Sequence, residues 1–353
     1  MKRKPSSRYR LFAFLGVCLY LVLFSRPLGK EAVVRPVWSR DVPAPGASAE
    51  GTTGADAICF HAGDVCGSVD PNGRFLAVDA VLYGVAVSSA GYVNYSRDAN
   101  HWVLQDVRGN PRWSYAGIGY PLFSTDGGSL FSVKTDLTGL RELDKNGEIA
   151  WERDFPSFIT CLATGGDAVA VGLLDGSLEV LSGRGERTAR FTTEGSRIRV
   201  VYGCALAPDA GRAAYIAGAD PQTLVVAERR GAGYSVSYRM VLPMDLRREI
   251  AMEFSRSGRD LIWEEPGALV VLEQSGRAIR IPFHGAVKVL ISQKAAVAAL
   301  SGSQEGGEVL VFRPPSTVLA REAVPAGATL FGNDGRLLLG IDGRLLCLEI
   351  GEM

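Results

Sequence analysis

Catalysis in this 353-residue chain would have to be built from few groups. There are three histidines, His61, His101 and His284, and they lie far apart in sequence. None has a nucleophile or carboxylate at a spacing that reads as a catalytic pair. Cys59, His61 and Cys66 form a Cys-x-His-x4-Cys pattern. Three ligands at that spacing, with no fourth close by, make a poor structural zinc site. A disulfide between Cys59 and Cys66 in an oxidising compartment suits the same residues better, and free buried thiols are the third reading. Buried thiol is the default for Cys161, Cys204 and Cys347, which sit in apolar strand-like contexts. Glu264 and Glu265 are adjacent, so on a strand they point to opposite faces; a solvated turn edge is the expectation. No Gly-x-Ser-x-Gly elbow, phosphate loop or His-Glu-x-x-His motif is present. No catalytic residue, metal ligand or cofactor-binding residue is expected on these grounds.

The elements around these residues repeat. Asp106-x-x-Gly109-x-x-x-Trp113 recurs 38 positions later as Asp144-x-x-Gly147-x-x-x-Trp151. From about Gly91 to the C-terminus three turn signals alternate with short runs rich in Val, Leu and Ile. The first signal is Ser89-Ala90-Gly91, Thr125-Asp126-Gly127, Gly165-Gly166-Asp167, Asp209-Ala210-Gly211, Ser257-Gly258, Gln293-Lys294 and Asp334-Gly335. The second includes Asp175-Gly176, Asp220-Pro221 and Asp342-Gly343, and the third includes Gly109, Gly147, Gly185, Gly231 and Gly276. Gly, Asp and Asn suit these places because tight hairpins need positive φ or a side chain that bonds the local backbone. Three turns per unit of about forty residues mean four strands per unit, and a period of that size built from strands is a β-propeller.

An all-β fold follows, with seven four-stranded blades as the main reading. The seventh unit stops after its third strand, so an N-terminal strand must close the ring; 57–61 and 74–78 are the candidates. Eight blades are the alternative, because Asp70-Pro71-Asn72-Gly73 also resembles a first-turn signal. Trp113 and Trp151, at equivalent places in successive units, are expected to pack between blades.

The segments 106–113 and 143–151 resemble the repeats of PQQ-like propellers, whereas 207–212 and 255–259 look more like the hairpins of WD40-like propellers. The likeness covers about 280 residues but is specific in two units; later units carry Ala189 and Arg280 where the Trp would be. Ser124-x-Asp126-x-Gly128-x-x-Phe131 resembles the Asp-box of sialidase-type propellers, which is a structural turn. The resemblance implies the fold and a general role. Quinone-cofactor enzymes of the PQQ group need a Ca2+ site, a stacking Trp and often adjacent cysteines; this chain has no adjacent cysteines and few tryptophans, so no cofactor is expected.

The N-terminus carries a second signal. Residues 1–10 contain five Lys or Arg and are followed by an uninterrupted apolar run, 11–24. This is the layout of a secretory signal or signal-anchor, read here as an anchor helix over 11–25 with 1–10 as its cytoplasmic flank. The basic flank places the N-terminus in the cytoplasm and the rest outside it, periplasmic in a bacterium. Residues 26–54, with Pro27, Pro36, Pro43 and Pro45, read as a flexible tether, leaving 55–353 for the propeller. Lys plus Arg equals Asp plus Glu at 38 each, so no broad basic surface for nucleic acid is implied.

Two classes of function fit. One is a non-catalytic, membrane-anchored module that binds an envelope or membrane protein; some PQQ-like propellers serve as assembly factors of the cell envelope, and the resemblance implies that role. The other is a hydrolase or lyase with its site in the central channel. The scarcity of histidine and the missing motifs favour the first. A polysaccharide-binding module is a weaker third.

Overall fold

The computed structural model describes residues 32–46, 57–293, 296–333 and 335–352. Among these every regular element is a β-strand, arranged as eight separate antiparallel sheets, seven of four strands and one of three. The molecule is an eight-bladed propeller. In the full blades 2 to 7 the strands follow chain order from the innermost place, A, to the outermost, D. Blade 2 shows the pattern with Gly84–Ser88, Gly91–Tyr95, Trp102–Gln105 and Pro111–Tyr115. A–B and C–D turns share one face of the disc; B–C turns and the D–A connections between blades share the other.

The three turn signals fall where four-stranded blades need them. The first falls in the A–B turns of blades 2 to 8, the second in the B–C turns of blades 3 to 8 and the third in the C–D turns of blades 2 to 7. The expected blade count of seven is corrected to eight. Residues 57–61 and 74–78 are indeed strands, but they belong to a blade of their own, made of Ile58–Ala62, Val65–Val69 and Phe75–Ala80. Asp70-Pro71-Asn72-Gly73 is a C–D turn rather than a first turn. Asp70 Oδ1 accepts from the amides of Asn72 and Arg74, at 2.8 Å each, just as Asp106 accepts from Arg108 and Asn110. The three strands therefore take places B, C and D, and no described strand occupies the A place of blade 1.

The ring is closed by Ala32–Asp41, which pairs with Arg344–Glu352 as the D strand of blade 8. An N-terminal closing strand was expected, but not this one: it lies inside the segment read as a tether. Pro27, Pro36, Pro43 and Pro45 together carry that reading, and of these Pro36 lies in the strand. On the outermost strand of a blade a missing N–H costs nothing, and Pro36 falls at the register shift between Pro36 and Trp38. The same one-residue shift occurs between the C and D strands of blades 1, 2, 3, 4, 5 and 7. It places Trp38 at the position that Trp113 and Trp151 hold in blades 2 and 3.

That position explains the repeat. A Cβ on Gly147 would stand 2.4 Å from the Trp113 ring, and one on Gly185 would stand 2.7 Å from Trp151. Each Trp covers the C–D turn of the next blade, and only a glycine with φ near +80° leaves room for it. Trp38 does this across the seam: a Cβ on Gly73 would come within 2.8 Å of its ring, and its Nε1 donates to the Pro71 carbonyl at 3.0 Å. Ala77 is the small-residue version, 3.0 Å from a Cβ on Gly109.

The apolar residues form clusters between neighbouring blades. Phe60, Val69, Leu338 and Cys347 close the seam, and Trp263, Phe254, Ile216 and Leu224 join blades 5 and 6. The expected helix over 11–25 lies outside the described residues, and no helix among the described residues is long and apolar enough to cross a membrane.

Candidate functional site

The six repeat positions Asp106, Gly109, Trp113, Asp144, Gly147 and Trp151 are structural, building turns and blade contacts at the rim. Cys59 and Cys66 are free buried thiols rather than a disulfide. Cys59 lies opposite Ser68 and Cys66 opposite His61, so the two are diagonal neighbours on one face of a hairpin and not a directly opposed pair. Burial pushes both thiols up to about 12, where thiolate chemistry is closed to them. The histidines stay apart. His61 Nε2 lies 2.9 Å from the Gly63 carbonyl, and His284 Nδ1 is 3.5 Å from Glu308.

Glu264 and Glu265 are not a solvated edge. Glu264 is 2% exposed and bound by both terminal nitrogens of Arg248. It also accepts from the Val287 amide at 3.0 Å, tying blade 6 to blade 7. Glu265 takes Arg280 at 3.0 Å and Trp263 Nε1 at 3.3 Å. Both carboxylates are spent on packing. Ser124 and Asp126 form the A–B turn of blade 3: Asp126 Oδ1 accepts from Ser124 Oγ at 2.6 Å and from the Gly128 amide at 3.0 Å, and these bonds hold its carboxyl below the usual range against the cost of burial.

Two features remain. The first is the central channel, a hollow of about 550 Å3 opening on the A–B face. It reaches Ile58 and Cys59 of blade 1, where no described strand takes the A place, and is ringed by Ser88, Ser124, Thr125, Ser292 and Gln293. Glu253, on the innermost strand Met252–Phe254, enters it between two residues that pack into blade 5. Protein surrounds the Glu253 carboxyl, and the loss of solvation lifts it to about 8, only partly offset by Arg256. Its residue surface is half-open because it faces the hollow; the enclosure by protein is what sets its solvation. Among the described residues its carboxyl accepts no hydrogen bond. Sequence reading missed it because a lone Glu on a three-residue strand carries no motif.

The second feature is an arc of exposed apolar side chains on the opposite face. Leu82 and Tyr83 precede blade 2, Ile118 precedes blade 3 and Phe158 precedes blade 4; Leu137 and Leu174 sit in the B–C turns of blades 3 and 4. Their exposures run from 41% at Leu137 to 69% at Leu82. The loops are fixed to one another: the Ile159 amide donates to Leu137 O at 2.7 Å, and the Leu174 amide to Phe158 O at 2.9 Å. The residues are thus presented by short, bonded connections.

Comparison with known proteins agrees with this architecture. A model of a beta-propeller protein family matches residues 1–353, and the chain belongs to that family. An uncharacterised protein of Treponema pallidum (strain Nichols) is 22% identical over 282 residues, which is 77% of this chain and 74% of the relative. BamB from Moraxella catarrhalis superposes with a TM-score of 0.62 at 14% identity, covering 90% of this chain and all of its own. The computationally designed Ika8 protein gives 0.58 at 17% identity, over 86% of this chain and 98% of its own. At these identities the two solved structures bear on the fold alone.

Proposed function

We propose that this protein is a non-catalytic interaction module, anchored in a membrane through residues 11–25 with its propeller outside the cytoplasm, that binds a protein partner of the cell envelope. The exposed apolar arc on blades 2 to 4 carries the reading. Six large apolar side chains on one sector of one face, on connections fixed by backbone hydrogen bonds, are costly to leave in water and form the kind of patch that partners cover. The resemblance of 106–113 and 143–151 to PQQ-like repeats supports an envelope role.

The anchor and the ring fit together. Asp41 pairs with Arg344 beside the B–C turn of blade 8, and Ala32 pairs with Glu352, so the closing strand enters from the A–B/C–D face. Six residues, 26–31, separate it from the expected anchor, a reach of about 20 Å at most. The apolar arc then faces away from the membrane. Paired capture from detergent-solubilised membranes tests the proposal. Wild type should recover a stoichiometric partner and Phe158→Asp with Leu174→Asp should lose it; equal recovery by both overturns it.

Glu253 and the channel favour a second reading, an enzyme or small-ligand site. Turnover of a small ester or glycoside that is lost in Glu253→Gln and kept in the Phe158 variant would establish it over the first.

A further inference from the structure

The central channel holds few groups that can carry charge. Among its described lining residues these are Cys59, Asp126, Glu253 and Arg256, and burial keeps the Cys59 thiol neutral. Between blades 3 and 6 the wall deepens into a recess of about 280 Å3, which Asp126, Glu253, Arg256 and Ser292 line together. The strands packed on Met252–Phe254 are Ile198–Leu206, Leu261–Glu265 and Ala286–Ser292. Their charged side chains lie toward the B–C face: Arg199 packs beside Gly176, Lys288 against Gly302, and Glu264 and Glu265 are bound by Arg248 and Arg280. Tyr202 and Cys204, with their pKa values raised by burial and neighbours, stay neutral.

Two polar groups in the recess lack partners. The Glu253 carboxyl accepts no hydrogen bond from a described residue, and Ser292 Oγ is buried without one. Asp126 is engaged on one side: its Oδ1 takes Ser124 Oγ and the Gly128 amide, while Oδ2 takes no bond from a described residue. Orphaned polar atoms around a recess call for a ligand that supplies the bonds. The charges give its sign. Ionised Asp126 balances Arg256, and the proton on Glu253 completes a neutral site. Once Glu253 loses that proton the recess is one negative charge in excess. One positive ligand restores neutrality, so ligand and proton are alternatives at the same place. A primary ammonium has three N–H donors, matched by Glu253, Asp126 Oδ2 and Ser292 Oγ. A metal ion is less well served, because among the described residues no three His, Cys, Asp or Glu side chains come together to hold one.

We propose that the channel binds a small molecule through a primary ammonium group, which sits on Glu253 and Asp126 and displaces the Glu253 proton to solvent. The proposal rests on the second reading above, a small-ligand site, and adds the charge of the ligand and the proton it exchanges for. Arg256 opposes the cation from the exposed mouth. With Glu253 titrating near 8, the apparent affinity should tighten about tenfold per pH unit below 8 and level above it.

Thermal unfolding of the full-length protein tests it, with n-butylammonium as the probe and n-butanol and butyrate as neutral and anionic controls. The probe, like a lysine side chain, keeps its charge up to about pH 9. It should raise the wild-type Tm, with a half-saturating concentration about 50-fold lower at pH 8 than at pH 6. Glu253→Gln should abolish the effect. Arg256→Gln should tighten binding about threefold at pH 9, where Glu253 is ionised and the opposing cation is gone. Equal stabilisation by butanol or butyrate, lost in Glu253→Gln, overturns the ammonium and leaves the small-ligand reading standing. Stabilisation that is indifferent to pH, or kept by Glu253→Gln, overturns the proposal. An equal effect of sodium or calcium chloride gives the recess to a metal ion and overturns it too. If no probe acts through Glu253, the small-ligand reading falls with the proposal. Should Glu253→Gln not fold, the pH dependence in wild type still decides.

Discussion

Trp38→Ala is the sharpest perturbation of the ring. The indole closes the seam between the last blade and the first: it covers Gly73, and its Nε1 donates to Pro71 O at 3.0 Å. Trp38 is half-buried. Removing about 100 Å2 of apolar contact at about 25 cal/mol per Å2 costs about 2.5 kcal/mol. The lost hydrogen bond adds about 1 kcal/mol, for a destabilisation of about 3.5 kcal/mol. Trp38→Phe keeps the ring over the glycine and should lose about 1 kcal/mol, the hydrogen-bond share. Urea denaturation followed by tryptophan fluorescence and, independently, by circular dichroism measures both. If 32–41 were a tether, neither substitution would move the midpoint; a shift below about 0.5 kcal/mol with unchanged slope refutes the seam.

Other perturbations have different signs and sizes. Gly147→Ala pushes a Cβ to 2.4 Å from Trp113 at a φ of +84°, whereas Gly343→Ala meets nothing within 4 Å at +75°. Both pay about 1 kcal/mol for the left-handed backbone, and the first alone should lose a further 1 to 3 kcal/mol to overpacking; equal losses contradict the Trp-over-Gly contact. Cys59 and Cys66 should ignore a thiol reagent at pH 8 until the protein is unfolded, and fast labelling of the native protein contradicts their burial. Glu253 titrates near 8 when folded against 4.5 as an isolated side chain. The folded state therefore keeps a proton that the unfolded state has lost, and stability falls as pH rises from about 4.5 to 8, then levels. Glu253→Gln should remove that slope and gain on the order of 3 to 5 kcal/mol relative to wild type at pH 9; a wild-type-to-Gln difference that stays constant from pH 5 to 9 contradicts the enclosure of the carboxyl.

What could be read in the sequence, and what could not, divides along physical lines. Turns were legible because their chemistry is local: Asp144 bonds the amides of Asn146 and Glu148 within its own turn, and that requirement is written in consecutive residues. The closing strand was not legible, since its partner lies more than 300 residues away and its identity rests on cross-strand register. Val33, Val34, Val37 and Trp38 carried strand chemistry that the prolines obscured. Blade 1 was hidden because its first-place strand is missing from the described residues, so its single complete signal, Asp70 to Gly73, appeared at the wrong step of the repeat. The adjacent glutamates were misjudged because Arg248 and Arg280, which make their burial tolerable, are 16 and 15 residues distant. The apolar arc is a property of the closed disc, assembled from turns of several blades, and no single segment announces it.

The binding claim is most directly tested by a photo-crosslinking side chain placed at Phe158 in the intact cell, with Ser275 as the control position on the opposite face. The account predicts a single, reproducible protein adduct at 158 that is absent at 275 and disappears with Leu174→Asp. Adducts of equal pattern at both positions, or none at 158 while the protein is folded and membrane-associated, would contradict it.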